Sequence, residues 1–380
     1  MPVRGLQHEE FLGGLHAEAM TWLGEGVDWF DAHTHIGHND PDGYEADPAE
    51  LLEALDVAGQ RRALVFAMHE PGGYRDANDV VLRACADSAG RLLPLARIDP
   101  KAPDALDEAR RCLEAGALGF KLHPRSDDFG LPHAVAEQVV ALAGEHRRPV
   151  LFHAGRGIPN LGDAAVAMAR EHPGARIILA HAGISDLGLV GPLAADVSNL
   201  LFDTSWWQVA DMMTLMTTVP PGQVLYASDM PYGAPRWSSW AFVRYARAAG
   251  LSREQIRAMA GEQLHRVVHG EDLLDLGPAP GPHGLGPRVL GFERATAYLT
   301  AAIQMTFRGG DPTEALSLAR LATQTHAEAP FTEELEQVDG LIALAQERFG
   351  ASGDPYTCVH PALAAHVIAG TASVDGLGGV

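Results

Sequence analysis

Between residues 28 and 274 the chain alternates short apolar runs with stretches of helical periodicity, eight times over. The runs fall at 28–36, 63–69, 92–99, 117–123, 149–154, 176–182, 200–205 and 223–229. Strands this short and this continuously apolar must be buried on both faces, as in a parallel sheet wrapped by helices. The intervening stretches carry helix boundary signals. Asp47 precedes the pattern at 48–58 as an N-cap, and Gly116 stops the one at 104–115. Two architectures compete, an open doubly wound sheet and a closed barrel. An open sheet usually carries a glycine-rich phosphate turn after a strand. The nearest segment here, Gly155-Arg156-Gly157, lacks the third glycine. The repeat count and the length therefore favour a (β/α)8 TIM barrel.

An amphipathic helix over 5–26 precedes the barrel, making residues 1–27 a separate N-terminal element. Helices near 238–249 and 252–268 would complete the barrel domain. Residues 275–287 are dense in Pro and Gly and read as a linker. Beyond it, helical patterns near 288–308, 312–328 and 332–349 give way to a glycine-rich tail. The segment GDPTEALSLARLA resembles the first helix of a helical repeat, but a single copy makes no array. Residues 288–380 thus read as an α-helical, hairpin-type C-terminal appendage.

The charge balance limits the partners. With 28 basic against 49 acidic residues the formal charge is −21. Such a surface repels nucleic-acid backbones and anionic lipid, so neither is an expected partner. A small-molecule substrate is expected, and an anionic one stays open, because a cation can reverse the potential inside a pocket. Self-association into a homo-oligomer is left open. Cys85, Cys112 and Cys358 are too few and too scattered for a disulfide framework, and the N-terminus lacks the apolar run of a signal peptide. A cytoplasmic location is the expectation.

Chemistry concentrates where the strand-like runs end. His33 and His35 are two apart at the end of the first run, hence on one face. His153 ends the fifth, His181 the sixth and Asp229 the eighth, while Lys121 and His123 end the fourth. In a barrel these positions gather at the C-terminal rim, where barrel active sites sit. A lone strand-end histidine such as His69 or His133 is more often a packing residue. Several imidazoles and a carboxylate at the same end of separate strands form a ligand set for a divalent ion such as zinc. Arg125 and Arg156 follow the fourth and fifth strands and either clamp an anionic substrate group or pair on the surface. Glu70 sits in a loop after the second strand. Trp206 and Trp207 follow the seventh strand, as substrate contacts or plain packing. Arg236 and Trp237 stand past Asp229, on an expected pocket lip.

The segments DAHTHIG (31–37), GFKLHP (119–124), LFHAG (151–155), LAHAG (179–183) and ASDMPYG (227–233) resemble, in that order, the amidohydrolase superfamily. Within it they are most similar to the branch of aminocarboxymuconate-semialdehyde decarboxylase-like enzymes. The resemblance covers roughly residues 28–270. GEQLHRV (261–267) departs from the GNAxRL-like ending of many relatives. The resemblance implies that His33, His35, His153 and Asp229 bind one divalent metal, zinc before others. His181 would position or deprotonate the attacking water, or bind a second metal, and Asp229 would take a proton from that water. In two-metal relatives a fourth-strand lysine is carboxylated and bridges the ions. Lys121 stands at that strand, but the flanking motifs favour one ion, with Lys121 and His123 facing substrate.

Three functions follow as expectations. The first is a hydrolase that activates water at the ion against an amide, lactone or ester carbonyl. The second is a non-oxidative decarboxylase on the same site. The third is an inactive barrel whose C-terminal helices bind a protein.

Overall fold

A computed structural model describes residues 5–155, 157–282, 289–324 and 331–372. Arg156 and parts of the proposed linker and glycine-rich tail lie outside the described residues.

The strands are β1 (Phe30–Ile36), β2 (Arg62–Ala67), β3 (Leu92–Pro94), β4 (Ala96–Arg97), β5 (Phe120–Leu122), β6 (Pro149–Phe152), β7 (Arg176–Leu179), β8 (Leu200–Asp203) and β9 (Val224–Leu225). All neighbours pair in parallel, in the orders β1-β2-β3 and β4-β5-β6-β7-β8-β9. β3 and β4 are two halves of one barrel strand, interrupted at Leu95, whose N–H still donates to Val65 O at 2.9 Å. Nine segments therefore make eight barrel strands. Backbone bonds from Ala32 N to Tyr226 O (3.0 Å), Asp229 N to His33 O (2.9 Å) and His35 N to Met230 O (2.8 Å) join the last strand to the first. The fold is a (β/α)8 barrel.

Period two sorts the strand residues. Leu64, Leu151, Ile178, Leu201 and Leu225 face inward and pack with Leu264, Val267 and Val268 of the helix Gln263–His269. Their neighbours Val150, Phe152, Ile177, Leu179, Leu200 and Phe202 face the surrounding helices. The register runs Arg97, Lys121, Leu151, Ile178, Leu201 across five strands. Two cations thus occupy an interior row that is otherwise aliphatic, which a charged side chain accepts only near a partner or an opening. The segment expected as one helix over 252–268 contains a π turn at Ala258–Glu262. There Gly261 lies so close to the barrel that a Cβ would stand 1.8 Å from Asp28 O. This is where the unusual GEQLHRV segment seals the barrel floor.

The C-terminal region holds the helices Leu290–Phe307, Thr313–Thr323, Thr332–Ser352 and Val359–Thr371. The last overturns the expectation that the chain past residue 349 is only tail. Every residue from Pro361 to Thr371 is buried, so no polar stripe marks the helix in the sequence. It packs on Leu290–Phe307 and Thr332–Ser352, and on the barrel helices Val209–Thr218 and Pro235–Ala248. No helix among the described residues is long and apolar enough to cross a membrane.

Two histidines of this framework make the fold acid-sensitive. Burial pushes His16 down to about 4 and His366 down to about 3. His366 Nε2 lies 2.9 Å from Thr300 Oγ1, and His16 Nε2 lies 3.2 Å from Ser239 Oγ, with the Arg236 charge nearby. Both rings stay neutral in the folded chain while the unfolded chain takes up protons below about 6.5. Stability is therefore full above that value and falls as pH drops toward 4, by about 1.4 kcal/mol per pH unit for each histidine. His366→Gln is expected to lower the slope of unfolding free energy between pH 6 and 4.5 by about that amount. Urea titrations across this range measure it, and an unchanged slope would contradict the assignment.

Candidate metal centre

β1 ends on Phe30-Asp31-Ala32-His33-Thr34-His35-Ile36, and its pairing with β2 slips between Asp31 and Thr34. The fully buried Asp31 steadies that slip. Its Oδ1 accepts from His33 N at 3.0 Å and from Ser228 N at 2.9 Å, tying β1 to the segment that carries Asp229. Burial pushes the Asp31 carboxyl up to about 7. Asp229 and His181 both have left-handed backbones, with φ of 61° and 54°. Such conformations cost non-glycine residues on the order of 1 kcal/mol or more, and they gather at functional sites.

Three side chains converge at this rim. His33 Nε2 is 3.1 Å from His35 Nε2 and 3.2 Å from Asp229 Oδ1, and His35 Nε2 is 3.1 Å from the same oxygen. Their donor atoms all lie within 4.8 Å of one another. His33 Nδ1–H donates to Asp203 Oδ2 at 2.7 Å, which leaves the Nε2 lone pair facing the carboxylate oxygen. Lone pairs packed this closely repel unless a proton or a cation stands among them. Tetrahedral ligands about 2.0–2.1 Å from zinc lie roughly 3.3 Å apart, close to the spacing seen. The donor set therefore fits a divalent ion.

The electrostatics agree. Burial, aided by neighbouring positive charge that includes Lys121, holds His33, His35, His153 and His181 below the ordinary imidazole range. Burial holds the Asp229 carboxyl well above the ordinary carboxylate range. Neutral imidazoles are the form that binds metal, and a bound cation would favour the ionised Asp229.

His181 stands beside the three. Its Nδ1–H donates to Ser205 O at 2.8 Å, its Nε2 lies 3.0 Å from His153 Nδ1, and its Nδ1 is 3.9 Å from Asp229 Oδ2. His153 is thus engaged with His181 and lies outside the three-donor group. Its Nε2 is buried without a hydrogen-bond partner, as is His35 Nδ1.

The profile of the family described as Amidohydrolase matches residues 18–262. The chain belongs to this family. Among solved structures, the barrel is similar to an amidohydrolase from Burkholderia multivorans with bound HEPES. That pair shares 14% identity and a TM-score of 0.52, over 63% of this chain and 99% of the other. It is also similar to a 2,6-dihydroxybenzoate decarboxylase from Rhizobium, at 14% identity and a TM-score of 0.51, over 64% and 99%. A TIM-barrel protein from Bordetella bronchiseptica matches at 12% identity and a TM-score of 0.53, over 64% and 99%. At these identities the likeness concerns the fold. No curated protein matches the sequence.

The amidohydrolase barrel opens at this rim into a cavity of about 820 Å³. Of the residues expected to face substrate, His123, Arg125 and Trp206 line it. His123 stacks on His153, with ring centroids 3.8 Å apart. Lys121 does not line the cavity. It is fully buried, its Nζ 3.5 Å from His33 Nε2 and 4.8 Å from the centre of the Phe66 ring, and burial pushes it down to about 7. Arg156 lies outside the described residues. Trp237 lines the cavity as expected of a pocket lip, whereas Arg236 turns away to donate to Gln7 O at 3.1 Å. His69 is also in the wall, its Nδ1 2.9 Å from Ser126 Oγ, whereas His133 caps the helix Ala134–Glu145. Cys85 and Cys112 are buried free thiols.

Two site residues escaped the sequence reading. Asp203 is fully buried at the end of β8. It accepts from His33 Nδ1, from His181 N (2.9 Å) and from both Ser205 N (3.0 Å) and Ser205 Oγ (2.5 Å). Arg97 is buried yet lines the cavity. Its guanidinium donates to Asp127 Oδ1 and Ser126 Oγ, each at 2.9 Å, and lies over the Tyr74 ring. The available signal for both was an unexplained charge at the end of an apolar strand.

Proposed function

We propose that this amidohydrolase is a metal-dependent hydrolase that attacks an amide, lactone or ester carbonyl of a small molecule. The convergence of His33, His35 and Asp229 at the barrel rim carries the reading. We assign these three to one divalent ion, zinc before others; His153, the fourth donor that the resemblance implies, would have to turn its ring from His181 and Gly155 to join them. The ion supplies a Lewis acid that polarises the carbonyl and brings the pKa of water toward neutrality. Asp229 takes the proton of the attacking water through Oδ2, the oxygen turned away from His33 and His35. His181 positions that water, its ring orientation fixed by Ser205 O. Arg125 and His123, joined by Arg97, hold a carboxylate or other anionic group of the substrate. Lys121 stays beneath the histidines, outside the cavity, its ammonium partly discharged by burial near neutral pH.

The buried Arg97 and the neighbouring Arg125 also suit a second reading, a non-oxidative decarboxylase whose departing carboxylate they would bind. One experiment separates the two. Purified protein from metal-replete growth is assayed for metal content, then incubated with lactones, esters, amides and aromatic carboxylic acids under mass detection. A lactone product heavier by one water, or ester or amide fragments whose masses together exceed the substrate by one water, at about one ion per chain supports the hydrolase. Loss of about 44 mass units would replace it with the decarboxylase. A metal content near zero would count against both metal-dependent readings and favour an inactive, protein-binding barrel.

A further inference from the structure

The cavity has two unlike walls. Arg97, on the third barrel strand, and Trp206 and Trp207, after the seventh, stand four strands apart and so face each other across the ring. His69, Ser126 and Arg125 accompany Arg97. Phe307 packs on Trp207, and Leu6, Trp237 and Leu363 add further apolar surface to the lining. Leu6, Phe307 and Leu363 lie outside the family match at 18–262. The solved relatives are covered over 99% of their length by about two thirds of this chain, so about a third of it lies outside the shared barrel.

The added helices are fixed to the site. A run of ring contacts leads from His181 to Trp206 (6.2 Å), Trp207 (6.0 Å) and Phe307 (5.4 Å, edge to face). Trp207 also meets His366, at 5.9 Å. Gly370 brings the last helix so near the barrel that a Cβ would stand 2.3 Å from Val209 Cγ1. Glu9 ties the N-terminal segment to the same helices, through both oxygens to Arg348 (2.7 and 2.8 Å) and to His360 Nδ1 (2.6 Å).

We propose that the C-terminal helices are the specificity wall of the active site, building with Trp206 and Trp207 an apolar subsite for an aromatic or alkyl part of the substrate. This rests on the metal-dependent reading above. The helices Leu290–Phe307, Thr313–Thr323, Thr332–Ser352 and Val359–Thr371 are then part of the catalytic unit. Phe307 is the residue through which they act, being half-buried, at the cavity edge and packed on Trp207.

Calorimetry with the metal-loaded full chain tests this, with acetohydroxamate and benzohydroxamate as probes. Both carry the same metal-chelating group, and only the second carries a ring. Burying that ring is expected to make benzohydroxamate bind about tenfold more tightly. Phe307→Ala is expected to cut the gain to about threefold or less, leaving acetohydroxamate unchanged. The unchanged acetohydroxamate affinity shows that the variant remains folded at the metal centre. Should Phe307→Ala fail to fold, Phe307→Leu keeps an apolar packing residue and is expected to lose part of the gain. Equal affinities for the two probes in the wild type, or a gain that survives these variants, would overturn the proposal. Failure of both probes to bind the wild type would instead overturn the metal-dependent reading beneath it.

Discussion

Asp229→Asn is expected to reduce turnover by about a thousandfold or more, because it removes both a metal donor and the acceptor of the water's proton. Asparagine is the informative substitution. Residue 229 has φ of 61°, a left-handed backbone that asparagine accepts and alanine resists. The variant should therefore keep the barrel while losing bound metal. It should even unfold at the same or a higher temperature when metal-free. Burial holds the Asp229 carboxyl above its unfolded value, so above about pH 4 ionisation costs the folded state more than the unfolded one. Removing the ionisable group removes that cost. Metal analysis, turnover and thermal melting of metal-free protein measure the three parts. Full activity with full metal content would end the assignment of Asp229.

Asp203→Ala is expected to destabilise the metal-free fold by about 3 kcal/mol or more and to weaken metal binding. Its carboxylate receives His181 N, Ser205 N, Ser205 Oγ and the Nδ1–H of His33. Each donor left buried without an acceptor costs roughly 1–3 kcal/mol. Asp203→Asn separates the two effects. It retains an oxygen for part of this set, but its amide cannot accept the His33 proton in the same orientation. His33 then loses the support that keeps Nε2 bare, and metal affinity is expected to fall about 10–100-fold. Urea unfolding of metal-free protein and chelator competition read stability and affinity independently. A variant matching wild type in both would show that Asp203 does not orient the centre.

The eight strands were legible because a buried strand in a parallel barrel is apolar on both faces, a property that needs no partner to be seen. The third was expected over 92–99 as one run. In the fold it divides at Leu95, between Leu92–Pro94 and Ala96–Arg97. The rim histidines were legible for a related reason. His33 and His35 share a face by period two, and His153, His181 and Asp229 each close an apolar run. Lys121 shows the limit of that reasoning. It ends its strand like the others, yet the register with Leu151 and Ile178 sets it inside the barrel below the histidines, off the cavity surface. Asp203 and Arg97 were passed over because their roles depend on partners 170 and 30 residues away.

The order of strands and helices, the closed barrel and the collection of imidazoles at one end follow from the sequence alone. They arise from alternation and periodicity, which act over a few residues. Which donors meet, how deep Lys121 lies and what the last helices do were decided by tertiary structure. Val359–Thr371 is apolar on every side, so no stripe announces it. It becomes intelligible only as an element enclosed between barrel helices and the C-terminal layer. The wall it helps build, with Phe307 against Trp207, comes from packing between segments far apart in the chain. Hydrophobic burial drives such packing without direction, and only the shapes of the assembled surfaces determine where it closes a cavity.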